Sequence, residues 1–372
     1  MRKINTRSPY FVTTTYDGFD KVRAEIYIYS GTQTTDRPSE PNYTLVSTFI
    51  DSRSSIDISE LINDFLEIDF TGVYKQDNLW VDVITTTFTG ASDGTSQEYN
   101  FRAFNGYGYF EDGANPELLQ SALISNETIV KLDDDALVFP VDSSITSFVT
   151  FENNEGEFFT QQINSSTESE EQVVYVSSVP TSALNFQSRV INDNGIFEDN
   201  ACLEDFENSF VLFPTRRVYV EDENGAVGIF NVQNISECTY EPNKLTFINK
   251  FGVLQDLWFF KTSKLNMTTK EDSYRANTRI DGNYSQNKHQ YKTLYRTGKQ
   301  SLSLSSGFYP ENNNEVFKQL LLSESVWINY NGKTLPVNIK TSDMSFKTRL
   351  NDSLIQYKID VEFAYDTINS VR

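Results

Sequence analysis

From Ile355 to Tyr365 the chain alternates strictly. Ile355, Tyr357, Ile359, Val361, Phe363 and Tyr365 are separated by Gln356, Lys358, Asp360 and Glu362 over most of the run. Side chains on an extended strand point to opposite faces with a period of two, so this run offers one face to a core and one to water. On a helix, with 3.6 residues per turn, the same apolar positions would scatter around the axis. The pattern returns at Val22, Ala24, Ile26 and Ile28, interleaved with Arg23, Glu25, Tyr27 and Tyr29, and again at Leu79, Val81 and Val83. Thr, Ser, Asn, Tyr and Phe are plentiful and Ala is scarce, a balance that favours strands and turns. With 28 Phe and 20 Tyr, a core can be built from a few large rings. The expected fold class is mainly β: two or three β-sandwich-like domains with one or two short helices, since 372 residues exceed what one core usually spans.

Three segments are expected: an N-terminal β-sandwich domain over 1–116, an acidic β-rich middle domain over 117–245, and a C-terminal β domain with one helix over 246–372. In the first, Val22–Tyr29, Tyr43–Ile50 and Leu79–Phe88 read as strands, and Thr32–Asn42, with Pro38 and Pro41, as a loop. Ile58, Leu61, Ile62, Phe65 and Leu66 fall at helical spacing, so Ser59–Leu66 reads as a short helix capped by Ser59. Strands at this spacing with one helix suggest a fibronectin-like sandwich. The turn-rich run Asn105–Gly113, followed by Pro116, closes the segment, and residues 117–132 read as a linker or short helix.

In the middle segment the strand candidates are Leu137–Val141, Ile145–Phe151, Val173–Val176, Leu184–Val190, Phe210–Phe213, Val218–Val220 and Gly228–Val232. In the third they are Thr246–Ile248 and Asp256–Lys261 around a turn at Gly252, then Gln300–Leu304. Asn312–Ser323 reads as a helix with Asn caps and Glu315 near its positive end. Val326–Tyr330 and Lys333–Ile339 flank Asn331-Gly332, a hairpin signature. No short repeat of the solenoid or propeller kind is present. The first two segments are candidates for related sandwiches, though no shared residues demonstrate it.

Charge is unevenly placed. Residues 1–245 hold 14 Lys and Arg against 40 Asp and Glu, a net of −26, whereas residues 246–372 hold 17 against 12, a net of +5. An acidic surface repels nucleic acid at close range, so no sequence-specific nucleic-acid partner is expected. No apolar run approaches the ~18 residues a membrane helix needs, so no membrane insertion is expected. The N-terminal MRKINTRSPYF is basic but has no apolar core of the secretory type. A chain made and kept in a cytoplasm is therefore expected, with Cys202 and Cys238 as free thiols, since two cysteines do not by themselves imply a disulfide.

Catalytic and cofactor chemistry finds little to work with. The single histidine, His289, lies in the polar SQNKHQYKT and reads as a surface residue, which removes most triads, zinc sites and His bases. Asp133-Asp134-Asp135 offers hard oxygen ligands for calcium but lacks the alternating spacing of a calcium loop, and reads as a solvated turn. Phe110-Glu-Asp-Gly113 and Phe197-Glu-Asp-Asn200 look alike. Adjacent carboxylates on an extended chain diverge, so turn chemistry explains both better than sugar hydrolysis does. Ser8, Ser188 and Ser209 sit in no nucleophile elbow, and no phosphate loop exists. Arg216-Arg217, inside the acidic segment, reads as a local salt bridge or as a pair for a neighbour's carboxylates. The expectation is a non-enzyme with no catalytic, cofactor-binding or metal residues and no cofactor.

Three passages carry a resemblance: RSPYFVTTT…AEIYIYSGTQTTDRPSEPNYTL near the start, YEPNKLTFINKFGVLQDLWFFKTS in the middle, and LLLSESVWINYNGKTLPVNIKTSDMSFKTRLNDSLIQYKIDVEFAYDTINSVR at the end. Together, over roughly a third of the chain, they resemble β-rich virion structural proteins of tailed bacteriophages, closest to tail hub and neck ring components of crAss-like short-tailed phages. The likeness is one of phrase, so no functional residue is carried over. It implies a tail hub or portal-proximal ring that assembles as a homo-oligomer with other neck or tail proteins around the DNA exit path. The protein would be made in the host cytoplasm and located in the virion. A glycan-binding adhesin or tail fibre or spike module is the alternative.

Overall fold

The computed structural model describes residues 2–75, 79–117, 120–163, 173–179, 188–191, 197–200, 213–277, 279–280, 282–346 and 354–368. The protein is mainly β, with several sheets and, among the described residues, a single helix of seven or more residues. It divides into two compact units, both discontinuous in sequence. The first comprises Met1–Ser236, Thr246–Leu257 and Asn312–Ser323, and the second comprises Glu237–Leu245, Trp258–Glu311 and Glu324–Arg372.

The first unit opens with β1 (Arg2–Asn5), β2 (Phe11–Thr15), β3 (Lys21–Tyr29), β4 (Tyr43–Thr48), β5 (Arg53–Asp57), α1 (Ser59–Asn63), β6 (Trp80–Thr89) and β7 (Ser92–Phe104). Five of these strands form a sheet in the order β1-β7-β6-β3-β4, and β2 pairs with β5 in a separate ribbon. β1 runs parallel to β7, and the other pairs are antiparallel. Ile4, Val22, Ala24, Ile26, Val81 and Val83 from the sheet share one core with Tyr10, Val12 and Ile56 from the ribbon and Ile58 and Ile62 at the helix. The alternation at Val22–Ile28 thus faces inward as expected. Ser59, however, is not the cap. The N-cap position is Ile58, which has no side-chain cap. Instead the Asp57 carboxylate accepts from the Ser59 N–H (3.0 Å) and hydroxyl (2.8 Å), tying the helix start to the ribbon. The helix ends at Asn63, leaving Phe65 exposed.

The opposite face of this sheet is also buried, which the alternation did not predict. Tyr27, Tyr29 and Trp80 form a second cluster. The loop after β3 folds over them: Trp80 Nε1 donates to the Gly31 carbonyl (2.7 Å), and the Thr34 N–H donates to the Tyr29 hydroxyl (3.1 Å). Arg37 lies 4.1 Å from the Tyr27 ring centroid, and Arg102 lies 4.2 Å from that of Trp80. Burial lowers the Arg102 pKa to about 10. Cation–π placement gives such a charge a partner that water no longer provides.

A second sandwich follows: β8 (Thr128–Leu132), β9 (Val138–Asp142), β10 (Thr146–Asn153), β11 (Phe158–Gln162), β12 (Val173–Ser177), β13 (Ser188–Ile191), β14 (Phe197–Asn200), β15 (Thr215–Asp222) and β16 (Val227–Ile235). Its sheet order is β11-β10-β15-β16-β8, with β9 and β12 as the facing ribbon. Position by position this repeats the first sandwich. β8 stands for β1 and is parallel to the last strand β16; β10 and β11 stand for β3 and β4; β15 and β16 stand for β6 and β7; β9 and β12 stand for β2 and β5. In chain order the antiparallel pair β13–β14 takes the place that α1 has in the first sandwich. Phe139, Val141 and Val176 from the ribbon meet Val149, Phe151, Phe159, Val218 and Val220 from the sheet.

Several expectations are corrected here. Residues 128–132 form the parallel edge strand rather than part of a linker or helix, and Phe197–Asn200 is a strand rather than a turn. β11 was missed, since FFTQQ does not alternate cleanly, yet Phe159 and Thr160 are both buried. Of the expected strands at Leu184–Val190 and Phe210–Phe213, residues 184–187 and 210–212 lie outside the described residues.

The chain then forms a hairpin of β17 (Asn243–Ile248) and β18 (Leu254–Phe259), turning at Gly252 (φ 76°). Its tip belongs to the first unit, as does α2 (Asn314–Leu322). Polar side chains knit both into that unit. Buried Asn249 donates to the Leu123 carbonyl (2.8 Å) and accepts from the Phe251 N–H (2.9 Å). Gln319 on α2 donates to Ser125 (2.7 Å) and accepts from the Lys250 N–H (3.3 Å). The Asn caps expected for this helix are not used. The N-cap Asn313 makes no capping bond, and its side chain accepts from Asn126 (3.1 Å) instead.

The second unit is built on β19 (Lys264–Arg275), β20 (Arg279–Ile280), β21 (Asn283–Tyr284), β22 (Tyr291–Pro310), β23 (Val326–Tyr330), β24 (Lys333–Ile339) and β25 (Leu354–Phe363). The strand order is β18-β17-β23-β24-β25-β22-β19. The β23–β24 hairpin turns at Asn331 and Gly332, both with positive φ (52° and 71°), the geometry Asn-Gly favours. Ile355, Tyr357, Ile359, Val361 and Phe363 are all buried, and the alternation ends there, with Tyr365 exposed.

Candidate functional site

The sequence expects a single short strand at Gln300–Leu304. The structure has a 20-residue strand, β22, paired with the 12-residue β19. β25 pairs with β22 only from Ser301 onward. Residues 291–300 therefore have only β19 as a strand partner and form a two-stranded arm extending past the sheet, about 30 Å long at ~3.3 Å per residue. It is tied at its base by the Thr367 N–H donating to the Gly298 carbonyl (2.8 Å) and by Lys299 pairing with Glu362 (3.7 Å). Every residue of β19 is exposed. Isolated hairpins are marginal in water, so continuity with the sheet at its base is what steadies this one. Met267 packs over Gly298, where a side chain would collide with the Met267 methyl. Arg296 Nε donates to Glu271 across the ladder (2.9 Å).

The register sorts the arm's side chains. Directly opposed residues share a face, so Lys264, Lys270, Lys292 and Lys299 lie on one face with Tyr274, while Leu265, Met267 and Tyr291 lie on the other. Leu294 sits in the irregularity between the Asp272–Tyr295 and Ser273–Thr293 pairs. Leu265, Met267, Tyr274, Tyr284, Tyr291, Leu294 and Tyr295 are all among the exposed large apolar residues. Residues 264–299 hold eight Lys and Arg against three Asp and Glu, a net of +5. The rest of the second unit holds eight against nine, so its whole positive excess lies on the β19–β22 hairpin, with seven of the hairpin's eight cations on the projecting part. The first unit holds 15 against 40. Composition revealed the asymmetry between the segments. Its concentration on one hairpin was hidden, because β19 has no regular apolar alternation and no buried residue to mark an inward face.

The structure does not gather the other flagged residues into one site. His289 is exposed near the arm's tip, between β21 and β22. At Asp133–Asp135 the chain supplies its own cation: the Lys131 ammonium donates to the carbonyls of Leu132 (2.9 Å), Asp133 (3.1 Å) and Asp135 (2.6 Å). Among the described residues no cluster of three His, Cys, Asp or Glu could hold a metal. Phe110–Asp112 is one 3-10 turn, closed by Asp112 accepting from the Tyr109 N–H (2.7 Å), with Phe110 wholly exposed. The Ser8 hydroxyl accepts from the Gly108 N–H (2.9 Å) in a backbone turn. Ser188 is described only as part of β13, and Ser209 lies outside the described residues. Arg216 and Arg217 both pair locally with Glu152, which also accepts from the Tyr219 hydroxyl (2.6 Å). Cys238 is a free, exposed thiol, and Cys202 lies outside the described residues. Among the described residues no helix is long and apolar enough to cross a membrane.

The strongest titration signal is structural. Burial pushes the Tyr29 and Tyr107 hydroxyls up to about 12, and raises Tyr74, Tyr109, Tyr175 and Tyr309 further still. Tyr109 donates to Glu315 (2.6 Å) and Tyr309 to the Trp258 carbonyl (2.7 Å), bonds that need the proton. An unfolded tyrosine ionises near pH 10. The stability these groups contribute is full below that pH and is lost as pH rises toward and through their folded values. The urea midpoint should therefore hold to about pH 9 and fall steeply above about pH 10. A midpoint unchanged at about pH 11 would contradict this.

No family model matches the chain, and no curated protein matches it.

Proposed function

We propose that this chain is a structural component of a bacteriophage virion, a tail hub or neck ring near the portal, acting by protein–protein assembly around the DNA exit path. The observation that carries the reading is the exposed β19–β22 arm, which joins apolar side chains to a net +5 on a chain whose total is −21. Such an element suits contact with another protein. Tandem sandwiches of the same topology suit a scaffolding role, and the resemblance of the three quoted passages points the same way. Subunits related by rotation form heterologous contacts that close into a ring. Acidic walls keep passing DNA from sticking. The protein would be made in the host cytoplasm and carried in the virion, with neighbouring neck or tail proteins as partners.

The alternative is a glycan-binding adhesin or fibre module, favoured by Tyr274, Tyr284, Tyr291 and Tyr295 exposed on or beside the arm, since aromatic faces stack on sugars. Negative-stain electron microscopy of the purified chain should show closed rings of one size. A persistent monomer that binds a glycan array would overturn the ring and leave the adhesin.

A further inference from the structure

We infer that the β19–β22 arm docks on the acidic first unit of a second copy of this chain, its lysine face meeting carboxylates there. The inference rests on the assembly reading and names the element that makes the contact. Exposed edge strands often carry lysine simply to stay soluble. Solubility explains Lys264, Lys270, Lys292 and Lys299, but not Leu265, Met267 and Leu294, which are 48%, 56% and 74% exposed on the same two strands. Cations on one face of the arm and uncovered aliphatic side chains on the other fit a protein groove that grips both faces, with carboxylates on one wall and apolar cover on the other. A nucleic-acid backbone offers no such cover, and a chain of net −21 disfavours a polyanion's approach. The complementary charge is present in the chain itself. The first unit carries a net of −25, and charges attract effectively only within about 8 Å at physiological salt, so the arm's charge is useful only in direct contact.

Two variants and one crosslink test this in the full-length chain. In the first, residues 270–297 are replaced by a two-residue turn joining Thr269 to Gly298, which keeps the pairing of β22 with β25 and the bonds of Gly298 and Lys299 to Thr367 and Glu362. In the second, Lys270→Glu is combined with Lys292→Glu. Circular dichroism and melting should match the wild type, since these residues pair only within the arm. In sedimentation, the wild type should self-associate more weakly as salt rises. The charge-reversed variant should raise the apparent Kd at least about tenfold per reversal, and the shortened variant should be monomeric. A photo-crosslinking residue at Leu294, in a mixture of isotopically light and heavy copies, should join that position to a peptide of residues 1–236 from another copy. Rings that survive loss of the arm would overturn this inference while leaving the virion reading standing. A monomeric wild type, crosslinks only to the second unit, or arm-dependent capture of a labelled DNA oligonucleotide in place of self-association would overturn it too.

Discussion

Ile359→Asp is expected to destabilise the second unit by about 4 kcal/mol or more, while Lys358→Asp, one residue away, should cost no more than about 0.5 kcal/mol. Ile359 is fully buried, lies opposite fully buried Leu304 on β22, and is followed on its face by buried Val361 and Phe363. A carboxylate there loses the isoleucine's packing and meets no cation among these neighbours, so it must either protonate or open the sheet. Lys358 points to the exposed face beside Gln356 and Asp360, opposite Ser305. Chemical denaturation of both variants measures the difference. Equal losses would show that the faces of β25 are assigned wrongly.

Trp80→Ala should cost the first unit about 3–5 kcal/mol. The indole is fully buried, its Nε1 donates to the Gly31 carbonyl, and the Arg102 guanidinium lies over its ring. Truncation removes the largest side chain of the Tyr27–Tyr29–Trp80 cluster and takes the aromatic face from an almost fully buried arginine. It also releases the loop after β3, which would show as faster proteolysis around residues 31–37. Trp80→Phe keeps a ring under Arg102 and should recover more than half of the loss. If Trp80→Ala melts like the wild type, this second face contributes nothing to the fold.

Strands with one wet face announce themselves, because period-two alternation is written within ten residues. The sequence alone was sufficient for β3, β6, the β23–β24 hairpin, β25 and the mainly-β class. It also showed that acid and base are segregated along the chain. What it did not show depends on partners far away in sequence or on backbone pairing. β8 was invisible as a strand because its place is given by parallel pairing with β16, a hundred residues later. The burial of Trp80 was not legible because the loop and the arginine that cover it are not its neighbours in sequence. The shared topology of the two sandwiches resides in which strands hydrogen-bond, and backbone bonds place little constraint on side-chain identity. The hairpin tip and α2 belong to the first unit through Asn249, Asn313 and Gln319, whose partners at Leu123, Asn126 and Ser125 lie 126, 187 and 194 residues away. The arm is the sharpest case. Its charges are plain in the sequence, but only tertiary structure, by ending the pairing of β25 with β22 at Ser301, makes them a projecting surface.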